Sequence, residues 1–377
     1  MNYKIIVTGF LLSACMHLGF SQVDSLEKMQ IDTHAHKTII DKTLSLFEYD
    51  FGRVSLALYP SASLDPASGL SIGAMPVIII KPKPQSKNMQ AASMVNYFAY
   101  SSRNWFNARI DLLLYTSQSG NEIKFVTNYV SAPDHFYGIQ QTERNHNPTP
   151  FTIQEFKTRG NYAVRLPYNI FAGVMVDVAH TKISDIKIIT QKNSFLAGVG
   201  PFFSYDSRNH VNYPTKGEYI SLNVTHFPQF QADNYKFTSL EFDGRKYMSL
   251  YKDIIFACNF YSAAAYGTMP FYYLHQLGGR NKMRGISNKF MYINTHTTFV
   301  QAEIRKHIWG RFGAVAFAAA GNAYSSLRTV NMAHTKYVYG VGLRFLTNED
   351  EKLNLRIDYG RGPARDSGVY ITMRESF

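Results

Sequence analysis

In residues 353–359 the odd positions carry Leu353, Leu355, Ile357 and Tyr359, and the even positions carry Asn354, Arg356 and Asp358. A period of two is the mark of a β-strand, whose side chains point alternately to opposite faces. The same alternation runs through residues 218–225, where Ile220, Leu222 and Val224 share a face, and through 337–345, where the large apolar residues hold the odd positions. It returns near the end, with Val369, Ile371 and Met373 on one side and Thr372 and Arg374 on the other. A face bearing Arg and Asp meets lipid only at high cost, so it must face water or a polar interior. The apolar face then meets lipid, where an open sheet edge is not tolerated, and the wall must close on itself. Turn signals such as Ser117-Gln118-Ser119-Gly120-Asn121, Pro148-Thr149-Pro150 and Arg361-Gly362-Pro363 cut the chain often. They leave about 16 segments, compatible with membrane strands of roughly 9–11 residues plus connections. The expected fold is an all-β, transmembrane, antiparallel β-barrel.

Composition excludes the competing classes. Aromatics make up 15% and charged residues 18% of 377 residues, the reverse of a disordered chain. Past residue 22 no apolar run approaches the 18 residues a membrane helix needs; the runs are short, as in Val77-Ile78-Ile79-Ile80. The formal charge of +12 fits acidic lipid headgroups or an anion-attracting lumen. No zinc-finger spacing or basic amphipathic helix points to nucleic acid.

Residues 1–22 read as a secretory signal peptide: a short basic start at Lys4, an apolar core over 5–12, and Phe20-Ser21-Gln22 before a polar stretch. The competing reading is lipidation at Cys15 within Leu12-Ser13-Ala14-Cys15. The apolar residues 16–20 that follow are odd for a lipoprotein start, so cleavage near Gln22 is preferred. Cys258 is then the only cysteine, which leaves no disulfide and no zinc site. Residues 23–51 are polar and mixed, a short periplasmic helix or tether, and the barrel occupies 52–377.

Two irregular stretches stand out, 132–150 and about 265–290. The second contains His275-Gln276-Leu277-Gly278-Gly279-Arg280-Asn281-Lys282-Met283-Arg284-Gly285-Ile286-Ser287. One reading is a flexible basic loop. The sharper one is a loop folded back into the lumen with Arg284 paired to an acidic wall residue, since the guanidinium fork binds carboxylate bidentately and stays charged when partly dried.

Several segments resemble, in order, the bacterial surface-antigen barrel family, which includes the BamA/TamA assembly factors and two-partner secretion transporters. Leu58-Tyr59-Pro60 with Asp65-Pro66-Ala67-Ser68-Gly69-Leu70 resembles its first hairpin, and Phe136-Tyr137-Gly138-Ile139 its early aromatic segment. Asp206-Ser207-Arg208 with Pro214-Thr215-Lys216-Gly217 resembles its central strand and turn. Met283-Arg284-Gly285-Ile286 resembles the signature of its sixth extracellular loop. Ala302-Glu303-Ile304-Arg305, Phe317 to Asn322 and Arg356-Ile357-Asp358-Tyr359-Gly360 resemble the strands that follow. The resemblance covers about residues 52–377. It implies a Gram-negative outer membrane location and insertion or export of polypeptides. Its partners would be outer membrane lipids, unfolded outer membrane proteins or other assembly and secretion subunits. It implies no cofactor or metal.

Two departures from the family pattern matter. The acidic residue expected after the loop is replaced by Ala319, so Glu303 becomes the first candidate partner for Arg284 and Asp358 the second. The roughly 30 residues between the signal and the first strand are too few for a periplasmic POTRA domain, so a barrel-only member is expected. Asp206 and Arg208 are expected to brace a strand end. Val369, Ile371, Met373 and Phe377 form a candidate C-terminal barrel signal, although Glu375 stands where an aromatic is common. No enzyme is expected. Gly69-Leu70-Ser71-Ile72-Gly73 matches a nucleophile pattern, but a strand-like run follows where a helix is needed, and Ser71 is read as a hairpin residue. The rival functional class is a passive pore or a structural barrel subunit of a larger outer membrane complex.

Overall fold

A computed structural model describes residues 47–65, 69–82, 91–116, 120–139, 148–185, 192–230, 234–349 and 352–377. The chain enters through a four-residue strand, β1 (Glu48–Phe51), then runs up and down as β2 (Val54–Asp65), β3 (Gly69–Ile80), β4 (Ala92–Ser101), β5 (Phe106–Tyr115), β6 (Glu122–Phe136), β7 (Thr149–Leu166), β8 (Ile170–Ser184), β9 (Asn193–Asp206), β10 (Gly217–Phe227), β11 (Lys236–Tyr251) and β12 (Ile254–Thr268). A long loop follows, containing the two-residue strands β13 (His275–Gln276) and β14 (Ile293–Asn294), which pair with each other. The wall resumes as β15 (His296–Trp309), β16 (Phe312–Tyr324), β17 (Lys336–Asn348), β18 (Leu353–Arg361) and β19 (Ser367–Met373).

Apart from β1 and the β13–β14 ribbon, sixteen strands build the wall among the described residues. Each pairs antiparallel with its neighbour in the chain, and β19 returns to β2. The ladder therefore goes full circle. The long loop between β12 and β15 is the sixth at its end of the barrel.

Burial shows which face is which. On β18, Arg356 and Asp358 are fully buried while Ile357 and Tyr359 are exposed, so the charged face lines the interior and the apolar face looks outward to lipid, as the alternation demands. On β2 to β4 the pattern fails. Leu56, Leu58 and Ile72 are exposed, yet Ala57, Tyr59, Met75, Val77, Ile79, Tyr97 and Ala99 form an apolar cluster on the inner side. Both faces are apolar there, which is why Val77 to Ile80 reads as a plain apolar run.

One expectation needs correcting. Within 23–51, expected to be helix or tether, residues 48–51 form a strand on β2: Glu48 lies opposite Ala57 and Phe51 opposite Val54. Tyr49 and Phe51 are exposed, and the Tyr59 hydroxyl donates to Glu48 Oε1 at 2.5 Å. Four residues are too short a period to stand out in a polar stretch. The expected signal peptide and Cys15 lie outside the described residues.

Candidate functional site: a buried arginine–carboxylate cluster beside a strand seam

The long loop does not stay outside. Leu277, Met283, Arg284, Gly285 and Ile286 are all buried, and Met283 and Ile286 pack with Tyr261, Phe299, Ala319 and Val338 from the inner face of the wall. The tip lies against the backbone of β18 and the residue after it. A Cβ on Gly285 would sit 2.7 Å from the Arg361 carbonyl carbon, and its φ of +125° is one that L side chains rarely adopt. Glycine is required on both counts. The Gly285 amide donates to the Tyr370 hydroxyl at 3.3 Å. The Ser287 amide and hydroxyl donate to the Asp366 carboxylate at 2.9 and 2.6 Å. Arg356 donates to the carbonyl of Arg280 and to Asn281 Oδ1, both at 2.8 Å.

At the centre, the two Nη groups of Arg284 donate to two different carboxylates, Asp358 and Glu303. Sequence reasoning treated these as alternatives; the structure places the guanidinium between them. It also lies 3.7 Å from the centroid of the Phe317 ring, and a cation over an aromatic face is attracted by the ring quadrupole. Ala319, where the family pattern expects the acidic residue, joins the apolar packing around Met283 instead.

Each carboxylate is shared further. Glu303 accepts from Arg305 Nε at 2.9 Å and from the Ser376 hydroxyl at 2.6 Å. Asp358 accepts from Arg344 Nη1 at 2.6 Å and lies 3.1 Å from Arg356 Nε. Arg344 Nε donates to Glu375 at 2.8 Å, and Asn354 donates to the same carboxylate at 3.2 Å. Four arginines and three carboxylates are thus nearly or fully buried together. Ions removed from water are tolerable only when paired and hydrogen-bonded, and removal of one partner is expensive.

Arg305, Arg344, Arg356 and Glu375 were not assigned to the site from sequence. A signal was present: Arg344 and Arg356 face each other across the β17–β18 ladder, and like charges directly opposed need carboxylates between them. Those carboxylates are Asp358, on the same strand, and Glu375, which sequence alone marks only as an aromatic missing from its usual place.

Glu375 reaches the cluster because the chain leaves the wall after Met373. Arg374 has φ of +67°, its amide donates to the Asn354 carbonyl at 2.9 Å, and the residues after it turn inward. Phe377 is buried against Tyr247 and Ala257 of β11 and β12. Its main-chain oxygen accepts from Arg305 Nη2 at 3.0 Å. The expected single face of Val369, Ile371 and Met373 is therefore split: the first two are half-buried on the wall, while Met373 is buried in the inner apolar cluster of β2 to β4.

The seam itself is thin. β7 and β8 pair continuously from Thr152–Ser184 to Leu166–Ile170. Among the described residues, β19 meets β2 at one register position, Val369 with Leu64.

Asp206 and Arg208 sit apart from this cluster, at the end of β9. Their fork is bidentate, at 2.9 and 2.6 Å, and Arg208 covers the Tyr219 ring at 4.7 Å. The pair ties down the turn into β10.

A closed ring of lipid-facing strands with a long loop pinned inside by an arginine defines a transmembrane β-barrel with an inward-folded loop. The Omp85 superfamily domain model matches residues 92–368, and the chain belongs to that superfamily. It is an outer membrane β-barrel of the Gram-negative type. Among solved structures it is similar to BamA from Haemophilus ducreyi lacking POTRA domains 1–3, at 12% identity and a TM-score of 0.53 over 85% of this chain and 69% of that one. It is also similar to CdiB from Acinetobacter baumannii, at 13% identity and a TM-score of 0.57 over 85% of this chain and 59% of that one. At such identities the likeness speaks for the fold. No curated protein matches the chain.

Proposed function

We propose that the protein assists the insertion or export of polypeptides at the outer membrane by parting its wall between β19 and β2. The observation that carries this reading is the seam, where among the described residues a single register position joins two strands that elsewhere in the wall would be laddered along their length. An exposed strand edge is a template for another strand, and a barrel that must open somewhere opens where the fewest ladder bonds are lost. The arginine cluster supports the same reading. Arg284 fastens the loop to β15 and β18, and Glu303 and Arg344 hold Ser376 and Glu375, which continue from β19. Loop and seam are thereby fixed to one charged centre. The reading needs no catalytic residue and no cofactor.

The test is a liposome assembly assay with the purified chain and an unfolded client barrel. The chain should speed client insertion, and a disulfide between Leu64→Cys and Val369→Cys should abolish the acceleration until reductant is added. Steady conductance in planar bilayers without any acceleration would instead establish a passive pore.

A further inference from the structure

The edge of β2 nearest its start is not covered by β19. Continuing the Val369–Leu64 register would set Met373 opposite Pro60 and residues 374–377 opposite 56–59. The chain does not continue; it turns into the lumen at Arg374. The vacated edge is taken by β1. Glu48 pairs with Ala57, Tyr49 with Leu56, Asp50 with Ser55 and Phe51 with Val54, and the Leu58 amide donates to the Phe47 carbonyl at 2.9 Å.

We infer that β1 is an intrachain stand-in for a client strand: the edge of β2 over residues 54–58 is the docking site for an incoming antiparallel strand, and β1 must leave before that strand can add. This inference rests on the proposed opening at the seam and names the surface used there.

The stand-in also defines its replacement. Its outward residues, Tyr49 and Phe51, are 55% and 58% exposed and lie opposite Leu56 and Val54 of β2, while Glu48 turns inward to the Tyr59 hydroxyl. The fitting partner is an extended segment with aromatic or aliphatic residues at one parity and polar residues at the other, which is the pattern of a membrane β-strand. β1 is well suited to exchange. A four-residue strand offers few ladder bonds.

The register supplies the tools. The bond from Leu58 to Phe47 marks a hydrogen-bonded pair; pairs alternate along an antiparallel ladder, so Tyr49–Leu56 is hydrogen-bonded and Asp50–Ser55 is not. Tyr49→Pro therefore removes a ladder donor. Asp50→Cys with Ser55→Cys, at a close non-hydrogen-bonded position in a Cys258→Ser background, locks β1 in place. The probe is a photoreactive peptide with the sequence of residues 367–377, added to the full chain in liposomes and mapped by its crosslinks to residues 54–58. Tyr49→Pro should raise capture roughly tenfold, the factor that loss of about 1.4 kcal/mol represents. The oxidised lock should capture none, and reduction should restore capture. Equal capture by locked and reduced protein, or no rise with Tyr49→Pro, overturns the inference. Client insertion separates the two claims. If the wild-type chain speeds insertion and the oxidised lock does so equally, the stand-in role falls and the proposed function stands. If the wild-type chain speeds nothing, the proposed function falls, and peptide capture still decides what occupies the β2 edge.

Discussion

Replacing Arg284 by alanine should release the loop and leave the barrel intact. Two charge-assisted hydrogen bonds are lost, at about 1.5–3 kcal/mol each, together with the contact over Phe317, at about 0.5–2 kcal/mol. Part of this is recovered. Glu303 keeps Arg305 and Ser376, Asp358 keeps Arg344 and Arg356, and three arginines then face three carboxylates. A net loss of about 3–5 kcal/mol in loop docking follows, the range for breaking a buried pair, or roughly a 10²- to 10⁴-fold rise in the undocked population. Met283 and Ile286 still favour docking through burial, at roughly 1.5–3 kcal/mol each, so the loop opens and recloses. Trypsin in the native state reports such openings, because cleavage tracks the open population when reclosing is fast. The variant should be cut after Arg280, Lys282 or Lys289 far faster than wild type, with unchanged heat-modifiable mobility on gels. The same variant should show raised bilayer conductance as the lumen clears. Equal cleavage and equal conductance would refute the anchoring role.

Gly285→Ala should undock the loop without touching any charge, because the new Cβ meets the Arg361 carbonyl carbon at 2.7 Å; its trypsin pattern should resemble that of Arg284→Ala, whereas Gly279→Ala, where nothing lies within 4 Å, should give a weaker effect arising from φ alone. Glu375→Gln weakens the hold of Arg344 on the residues after β19 and should raise hydrogen exchange at Tyr370 and Thr372 more than at the centre of β7. His210 lies in the turn between β9 and β10, its ring held below the usual histidine range by burial, then by the charges of Lys352 and Arg208. The unfolded chain takes up the proton more readily, so stability from this group is present above about pH 6.5 and lost as pH falls toward the lowered value; His210→Gln should flatten that part of the stability profile, measured by thermal unfolding of the turn region.

The barrel was legible in the sequence where lipid and lumen demand opposite chemistry, as on β10, β17 and β18, because there each residue declares its side. It was least legible on β2 to β4, where an apolar lining removes the contrast. The loop arginine and both carboxylates were visible as residue types at family-like positions, but their sharing was not: whether Arg284 takes Glu303 or Asp358 depends on the angle at which the loop descends. The role of Glu375 was hidden for a simpler reason. In one dimension it replaces an aromatic, and only the inward turn at Arg374 brings it to Arg344. β1 was hidden because two aromatics in four residues make no pattern until the β2 edge is seen to be vacant.

The wall also has an uneven height. β7 has 18 residues and β19 only seven. At about 3.4 Å per residue and a tilt near 40°, seven residues rise roughly 18 Å, against the apolar band of about 25 Å that an outer membrane barrel presents. β18, with nine residues, rises roughly 23 Å on the same reckoning, just short of the band. Lipid beside this stretch must thin or leave tails facing polar ends, at a cost of fractions of a kcal/mol per Å of mismatch. The bilayer is thus strained along the same arc where the ladder is thinnest, and a strand entering there crosses less hydrocarbon than it would anywhere else on the circumference.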